Sequence, residues 1–458
     1  MSNIPHTYDF ASNSQPMELE SHYWLNGERI SNAFGVELLP CMADLLDVAM
    51  AVYAADRRSL RDFKKEKTGQ RRIHMRLAVR EPELWESAEI SEQLSELLSW
   101  LSGDVWSFEF ARRESDPSPA ESVRYLFSWP TDHPAEVSLF SGGLDSLAGL
   151  AARAQGAADR SRVLVSGYTN SRLAHQQLEQ IRGIKEAWHN DGLDRRKAPE
   201  IRHVAVPFGI HKPEGHYEEK SQRTRALVFL TLGVAAALQA DADTLWVYEN
   251  GVGALNLPLN ETQLGVDNYR GVHPVSLMEA RKLFELVLKQ TIRIENPFLF
   301  DTKAEMCAAL QPIGLAHLVR ETVSCDGFAQ RVANKPQCGY CTSCILRRQS
   351  LHSSGLGGFD PSAEYRYDVL NRQSSLTLTQ IYGLEAMYDQ VEKLARCLCS
   401  DNPWPVLAAS FPGLVLVRSA LVVHEDMKPV DVEARLIRMY RAYVQEWERF
   451  PATYRIAA

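Results

Sequence analysis

The segment VSLFSGGLDSLAGL, Val137 to Leu150, sets two hydroxyls, two glycines and a carboxylate between an apolar run and a stretch of helical spacing. Val137 to Phe140 are too few and too β-rich for a helix and predict a buried strand. Leu144, Leu147 and Leu150 predict a helix that packs back onto it. A strand, a glycine turn and a helix start aim several backbone N–H groups at one point, where the helix dipole favours negative charge. Gly142 and Gly143 let the backbone approach an anion closely. Ser141 and Ser146 can donate hydroxyl hydrogen bonds, and Leu144 opens the helix. Asp145 cannot itself donate to an anion. The loop lacks the lysine of a Walker motif. The bland alternative is a glycine-rich turn with no ligand.

A second cluster lies far downstream. Cys325, Cys338, Cys341 and Cys344 follow the spacing Cys-x12-Cys-x2-Cys-x2-Cys. Two-residue gaps let one turn present successive sulfurs to a single ion, and four thiolates complete a tetrahedral, closed zinc site. Disulfides and an iron–sulfur cluster are the other readings of the same residues.

The elements that position these groups follow from periodicity. From Glu136 to about Phe298 strand-like and helix-like segments alternate: RVLVSGY, IRHVAVPF, TLWVYEN and IRIENPF read as further strands, with the apolar helix ALVFLTLGVAAALQA among the helices. Such alternation predicts an α/β fold with a doubly wound parallel sheet, whose ligand sits at the carboxyl ends of the strands. The Ser-Gly-Gly loop, Tyr168 and Glu249 to Gly251 all fall at such ends. Before this core, residues 1–115 read as an α+β domain. Its strand RRIHMRLAVR turns Ile73, Met75, Leu77 and Val79 inward and Arg72, His74, Arg76 and Arg80 outward, a basic row that is either a solvated face or a polyanion surface. Residues 116–135 read as a linker and 356–458 as a helical extension. In that extension Ile381, Leu384, Tyr388, Val391 and Leu394, then Leu436, Met439, Tyr443 and Trp447, form apolar stripes.

Ser-Gly-Gly-x-Asp-Ser resembles the PP-loop of ATP pyrophosphatases. Together with the late cysteine cluster, the strings TVSC and CGYCTSC, and PFLFDTKAEM ahead of them, it resembles the 7-cyano-7-deazaguanine synthase (QueC) family over roughly Glu136 to Leu351. The resemblance implies a HUP-like PP-loop domain, 136–355, with a zinc knuckle at 325–344. It implies that ATP is used to activate the carboxylate of 7-carboxy-7-deazaguanine, after which ammonia attacks to give an amide and then a nitrile. By that resemblance Ser141, Gly142, Gly143, Leu144, Asp145 and Ser146 bind ATP and Mg²⁺, and Tyr168 lies near the adenine. Lys303 neutralises phosphate charge, unless it is an ordinary exposed lysine at a helix start. The family's Asp-Cys-Arg string is replaced here by ENGVGALNLPLN, and its Arg-Asn pair by RTRAL. Arg225, Glu249, Asn250 and Asn256 are the substrate-contact candidates; turns and caps are their other reading. The length and flanking regions are similar to the QueC-like proteins of Qat-type antiphage defence systems (QatC). There the activated base can pass to an amine on a partner protein, and the flanks are expected to dock that partner.

Composition bounds these readings. The chain has 458 residues, 45% of them hydrophobic and 24% charged, with a formal net charge of −8. That balance gives no support to direct nucleic-acid binding. No apolar run is long enough to span a bilayer, and with eight cysteines, half of them in one cluster, a reducing cytoplasm is the expectation. Rival readings are tRNA thiolation, for which Cys41, Cys307, Cys397 and Cys399 remain outside the cluster, plain nitrile synthesis, and a non-catalytic subunit that holds ATP.

Overall fold

The computed structural model describes residues 6–11, 23–62, 69–114, 118–121, 135–156, 161–190, 200–211, 218–259, 269–327, 336–370 and 376–451. The N-terminal region runs β1 (His6–Asp9), β2 (Tyr23–Leu25), α1 (Glu28–Phe34), α2 (Pro40–Arg58), β3 (Arg72–Val79), α3 (Pro82–Trp85), α4 (Ala88–Ser102) and β4 (Val105–Arg112). The central region continues with β5 (Ala135–Leu139), α5 (Leu144–Gly156), β6 (Ser161–Tyr168), α6 (Ser171–Asn190), β7 (Ile201–Ile210) and α7 (Arg225–Gln239). Then come β8 (Thr244–Trp246), α8 (Gly251–Leu255), α9 (Pro274–Leu288), β9 (Arg293–Glu295) and α10 (Lys303–Ala308). Helices α11 (Thr342–Ser353), α12 (Leu378–Leu398), α13 (Pro403–Ser410), α14 (Gly413–His424) and α15 (Pro429–Glu448) complete the chain.

Two sheets form. The larger has the order β2-β7-β6-β5-β8-β9, parallel except for the antiparallel edge strand β2. Chain order runs outward from β5 through β6 to β7, then jumps back to β8 on the other side of β5. The carboxyl end of β5 is therefore the switch point where crevices open in such sheets. Six consecutive residues of β6 are buried, as befits a parallel strand covered on both faces. The smaller sheet, β1-β3-β4, is wholly parallel.

Residues 1–115 and the central region share one apolar core. Strand β2 completes the central sheet, and α2 packs against β3 on one side and α7 on the other. The spacing of Leu45, Val48, Ala49 and Val52 predicts one buried face; a second layer over the helix buries Met50, Ala51, Tyr53 and Ala54 as well. The alternation of β3 is as expected, with Ile73, Met75, Leu77 and Val79 all buried. Two residues of its basic row are neutralised in place. Arg76 meets Asp9 at 3.4 Å, and Arg80 is sunk among Asp44, Asp47 and Glu121. Most of the expected linker, including VRYLFSW, lies outside the described residues. Glu121, at its near end, is tied to Arg80 by a bidentate ion pair.

The C-terminal helices bury the expected stripe of α15, Leu436, Met439, Tyr443 and Trp447, against α12 and α14. Each such side chain contributes roughly 1.5–3 kcal/mol by leaving water. Among the described residues no single helix is long and apolar enough to cross a membrane.

Candidate active site

The turn after β5 is shaped by its own serines. Ser146 Oγ accepts the Ser141 N–H at 3.1 Å and lies 2.8 Å from Ser141 Oγ, which in turn accepts the Gly143 N–H at 3.1 Å. Gly142 has φ +79°, and a Cβ there would sit 3.1 Å from the Gln177 side chain, so the position favours glycine twice over.

Three glutamines of α6, which periodicity alone did not single out, hold the loop from behind. Gln180 Nε2 donates to the Gly142 carbonyl at 2.6 Å, Gln176 Nε2 to the same oxygen at 2.9 Å, and Gln177 Nε2 to the Ser141 carbonyl at 3.1 Å. In a planar trans peptide the N–H points away from its carbonyl. Anchoring these carbonyls on α6 therefore turns the Gly142 N–H to the other side, along with the Gly143 N–H that Ser141 Oγ accepts. Gln176 and Gln180 also donate to the Glu321 carbonyl, at 3.0 and 2.6 Å, and so staple the loop to the 3-10 turn that leads into the cysteine cluster. The only signal in the sequence was the glutamine spacing on one helix face.

A cleft of about 450 Å³ opens at this switch point. Ser141, Gly143 and Ser146 line it from the loop, Gln222 and Arg225 from the bend into α7, Glu249 from the segment after β8, and Val323, Cys325 and Asp326 from the segment that leads into the cysteine cluster. The volume is that of a small-molecule site.

Behind this lining lies a charge cluster. Asp145 is ion-paired with Lys303 and accepts from Asn250 Nδ2 at 3.0 Å. Asn250 caps α8 through Oδ1, which accepts the Gly253 N–H at 2.9 Å, and its Nδ2 also donates to Glu249 Oε1 at 2.8 Å. Its capping role and its place in the charge cluster coincide. Lys303 is buried as the first residue of α10, against the reading of an exposed helix-start lysine. Burial alone would lower its pKa, but the Asp145 and Glu249 carboxylates outweigh it and raise it. Glu249 is pushed up to about 8 by burial and by the charge of Asp145, against the opposing pull of Lys303.

The remaining candidates separate. Arg225 lines the cleft and donates to Gln222 Oε1 at 2.9 Å. The Leu144 side chain is in the core, so only its backbone N–H is available to a ligand. Tyr168 does not line the cleft: Gly167 and Thr169 do, and strand alternation turns the residue between them to the opposite face. Asn256 is also displaced from expectation. It closes α8 with φ +42°, donates to the Tyr269 carbonyl at 3.1 Å, and borders a separate small cavity with Trp100 and His273. The turn-and-cap reading describes it.

The four cluster thiols come together with every sulfur within 4.8 Å of the others, and Cys338 Sγ lies 3.9 Å from Cys344 Sγ. Two thiolates on one tetrahedral zinc stand about 3.8 Å apart, from a Zn–S bond of roughly 2.3 Å. A multinuclear cluster spreads its thiolates over several irons and separates them further, and a disulfide would need sulfurs in bonding contact. The donor set thus fits a single ion. Gly339, between Cys338 and Cys341, has φ +86° and the Tyr367 carbonyl where a Cβ would stand. Arg347 and Arg348, on α11, share Asp360 and brace the knuckle from below. Outside the cluster, Cys307 is buried, its thiol pushed up to about 12 by burial and Asp145, and Cys41 is raised by burial. Neither is an activated thiol.

Residues 135–355 match the model of the family described as "Queuosine biosynthesis protein QueC". The chain is similar to the 7-cyano-7-deazaguanine synthase of Ruegeria pomeroyi, 23% identical over 238 residues, which covers 49% of this chain and 92% of that protein. The same-named protein of Methylococcus capsulatus is 25% identical over 236 residues, covering 49% and 96%. That of Hydrogenovibrio crunogenus is 28% identical over 250 residues, covering 48% and 92%. Each relative is matched over nearly its whole length, by about half of this chain, and the two flanking regions lie outside the matched family segment.

Proposed function

Taking residues 135–355 as a QueC-like domain, we propose that this chain uses ATP to activate the carboxylate of a 7-carboxy-7-deazaguanine-type base. The observation that carries the reading is the loop of Ser141 to Ser146, its carbonyls drawn back onto α6, facing a cleft that Glu249 and Arg225 also line. A carboxylate oxygen attacks the α-phosphorus of ATP, and the bond to the bridging oxygen breaks, releasing pyrophosphate and leaving an acyl adenylate. An amine then attacks the acyl carbon, AMP departs, and the amine proton passes to solvent.

In this reading the loop N–H groups and the amino end of α5 hold the departing pyrophosphate, which gains charge as the bond breaks. Ser141 and Ser146 add hydroxyl donors, and Lys303 supplies positive charge beneath the loop. Asp145 offers the carboxylate oxygens that a hard divalent cation takes, and Mg²⁺ held there would neutralise phosphate charge. Gln222, Arg225 and Glu249 form the base end of the cleft. Zinc at the four cysteines is structural, since four thiolates leave no open position for substrate. The proposed acceptor is either ammonia or an amine of a partner protein docked on the flanks, 1–115 and 356–458. The long layout, similar to Qat-type proteins, favours antiphage defence as the setting. The raised thiols of Cys41 and Cys307 weigh against thiolation through either of them.

The test is pyrophosphate release from ATP with Mg²⁺ and carboxy-deazaguanine, followed with mass spectrometry of the base and of any co-expressed neighbour protein. Base-dependent pyrophosphate is expected. A nitrile product would assign ammonia as the acceptor, a mass increment on protein would assign conjugation, and no base-dependent pyrophosphate with either acceptor would remove the enzyme reading.

A further inference from the structure

One wall of the cleft is set by residues outside the QueC-matched segment. Tyr53 of α2 donates its hydroxyl to Gln222 Oε1 at 3.1 Å, and Arg225 Nη1 donates to the same oxygen at 2.9 Å. Three residues nearer the end of the helix, Asp56 accepts both the N–H and the hydroxyl of Thr224, at 3.1 and 3.0 Å. Just past α2, the Arg61 N–H donates to the Glu219 carboxylate at 3.1 Å. The bend of residues 219–225 is thus gripped by the N-terminal region at several points. Within it Gln222 has φ +47°, a left-handed conformation that a non-glycine residue keeps only where its surroundings impose it.

Gln222 and Arg225 both line the cleft. Because Gln222 Oε1 is already taken by Tyr53 and Arg225, the pair can offer a ligand only donors: the Gln222 amide and the rest of the Arg225 guanidinium. A planar donor fork beside an amide suits a carboxylate, which accepts on two oxygens.

We propose that the N-terminal region is a specificity element of this cleft: Tyr53 and Asp56 are positioning residues that preset Gln222 and Arg225 as a donor pair for the carboxylate of the base. This deepens the function proposed above and rests on it for the identity of the ligand. It also gives the N-terminal region a role in the first half-reaction, independent of any docked partner.

Asp56 is committed to a buried ion pair with Arg71, so its replacement could simply unfold the chain; Tyr53→Phe, which removes one hydroxyl, is the cleaner variant. Losing one neutral hydrogen bond should raise the KM for carboxy-deazaguanine roughly five-fold. The kcat at saturating base and the Kd of a non-hydrolysable ATP analogue should stay within about two-fold of wild type. Gln222→Gly, which relaxes the φ and removes the side chain, should raise the same KM at least as much without loss of stability. In competition, 7-deazaguanine without the carboxylate should bind equally to wild type and Tyr53→Phe. Hydrogen exchange should quicken at the amides of 222–227 in Tyr53→Phe while 141–146 stay unchanged. An unchanged KM, a parallel loss of ATP affinity, discrimination that persists with the decarboxylated base, or unaltered exchange at 222–227 would each overturn the proposal. If wild type releases no pyrophosphate with this base, the functional reading fails on its own, and the exchange experiment still decides whether Tyr53 positions the bend.

Discussion

Lys303 forms a buried ion pair with Asp145, a residue 158 positions away, and so fastens the first turn of α10 to the first turn of α5 beneath the Ser-Gly-Gly loop. The pair has a third member, because Asp145 also repels Glu249 and Asn250 bonds both carboxylates. Any change to one member alters the charge presented to a ligand in the cleft.

Lys303→Met should leave Asp145 buried without its counter-charge, at a cost of about 3 kcal/mol in unfolding free energy. Pyrophosphate release should fall by roughly 100-fold or more. Combining it with Asp145→Asn should recover part of the lost stability, since no orphan charge remains. Urea denaturation of the two single variants and the double variant checks this, and strict additivity would refute the coupling.

Glu249 gives the site a pH dependence with a definite sign. Its carboxyl is raised from 4.5 to about 8 in the folded protein, so between those values the native state holds a proton that the unfolded chain has released. Its contribution to stability is therefore full below about pH 4.5 and declines as the pH rises towards 8. Glu249→Gln should remove that decline, so that the variant gains on wild type between pH 6 and 8 in parallel denaturation curves. Affinity for the carboxylate base should also weaken in wild type as the pH passes 8 and the Glu249 carboxyl ionises at the same end of the cleft, and this trend should flatten in the variant.

Removing the knuckle metal should reach the cleft. Purified protein should contain close to one zinc per chain by elemental analysis, and Cys344→Ser should lower it sharply. Because Cys325 lines the cleft and the Glu321 carbonyl shares Gln176 and Gln180 with the loop, chelation should weaken ATP binding as well as lower the Tm. Full metal loss with unchanged ATP affinity would show that the stapling carries no energy.

The glutamine clamp can be probed from both ends. Gln180→Leu removes donors to two carbonyls and Gly142→Ala forces a left-handed φ on a residue with a Cβ. Each should cost on the order of 1–2 kcal/mol of loop order, read as a roughly ten-fold rise in the ATP-analogue Kd. The KM for the base should move less than that, which separates this defect from that of Tyr53→Phe.

What was legible in the sequence was local. The strand–turn–helix around Ser141, the two-residue spacing of the thiols and the stripes of β3 and α15 each depend on neighbours within a few positions, where periodicity and turn chemistry leave few alternatives. The order of the central strands put the loop, Glu249 and Arg225 at one crevice, as an alternating α/β chain implies. Residue roles set by a single bond angle or strand face were less legible: Tyr168 turned away while Gly167 and Thr169 faced the cleft, and Asn256 went to a cap.

The tertiary structure alone decided the pairings across long separations. Nothing near Lys303 in the chain announces a buried partner, the shared face of the α6 glutamines does not say which loop they hold, and nothing in α2 announces that Tyr53 touches a residue of the cleft wall. Those contacts exist because the sheet order and the stacking of α2 on α7 bring distant surfaces together. Hydrogen bonds and charges act over a few ångströms of space, whatever the distance along the chain.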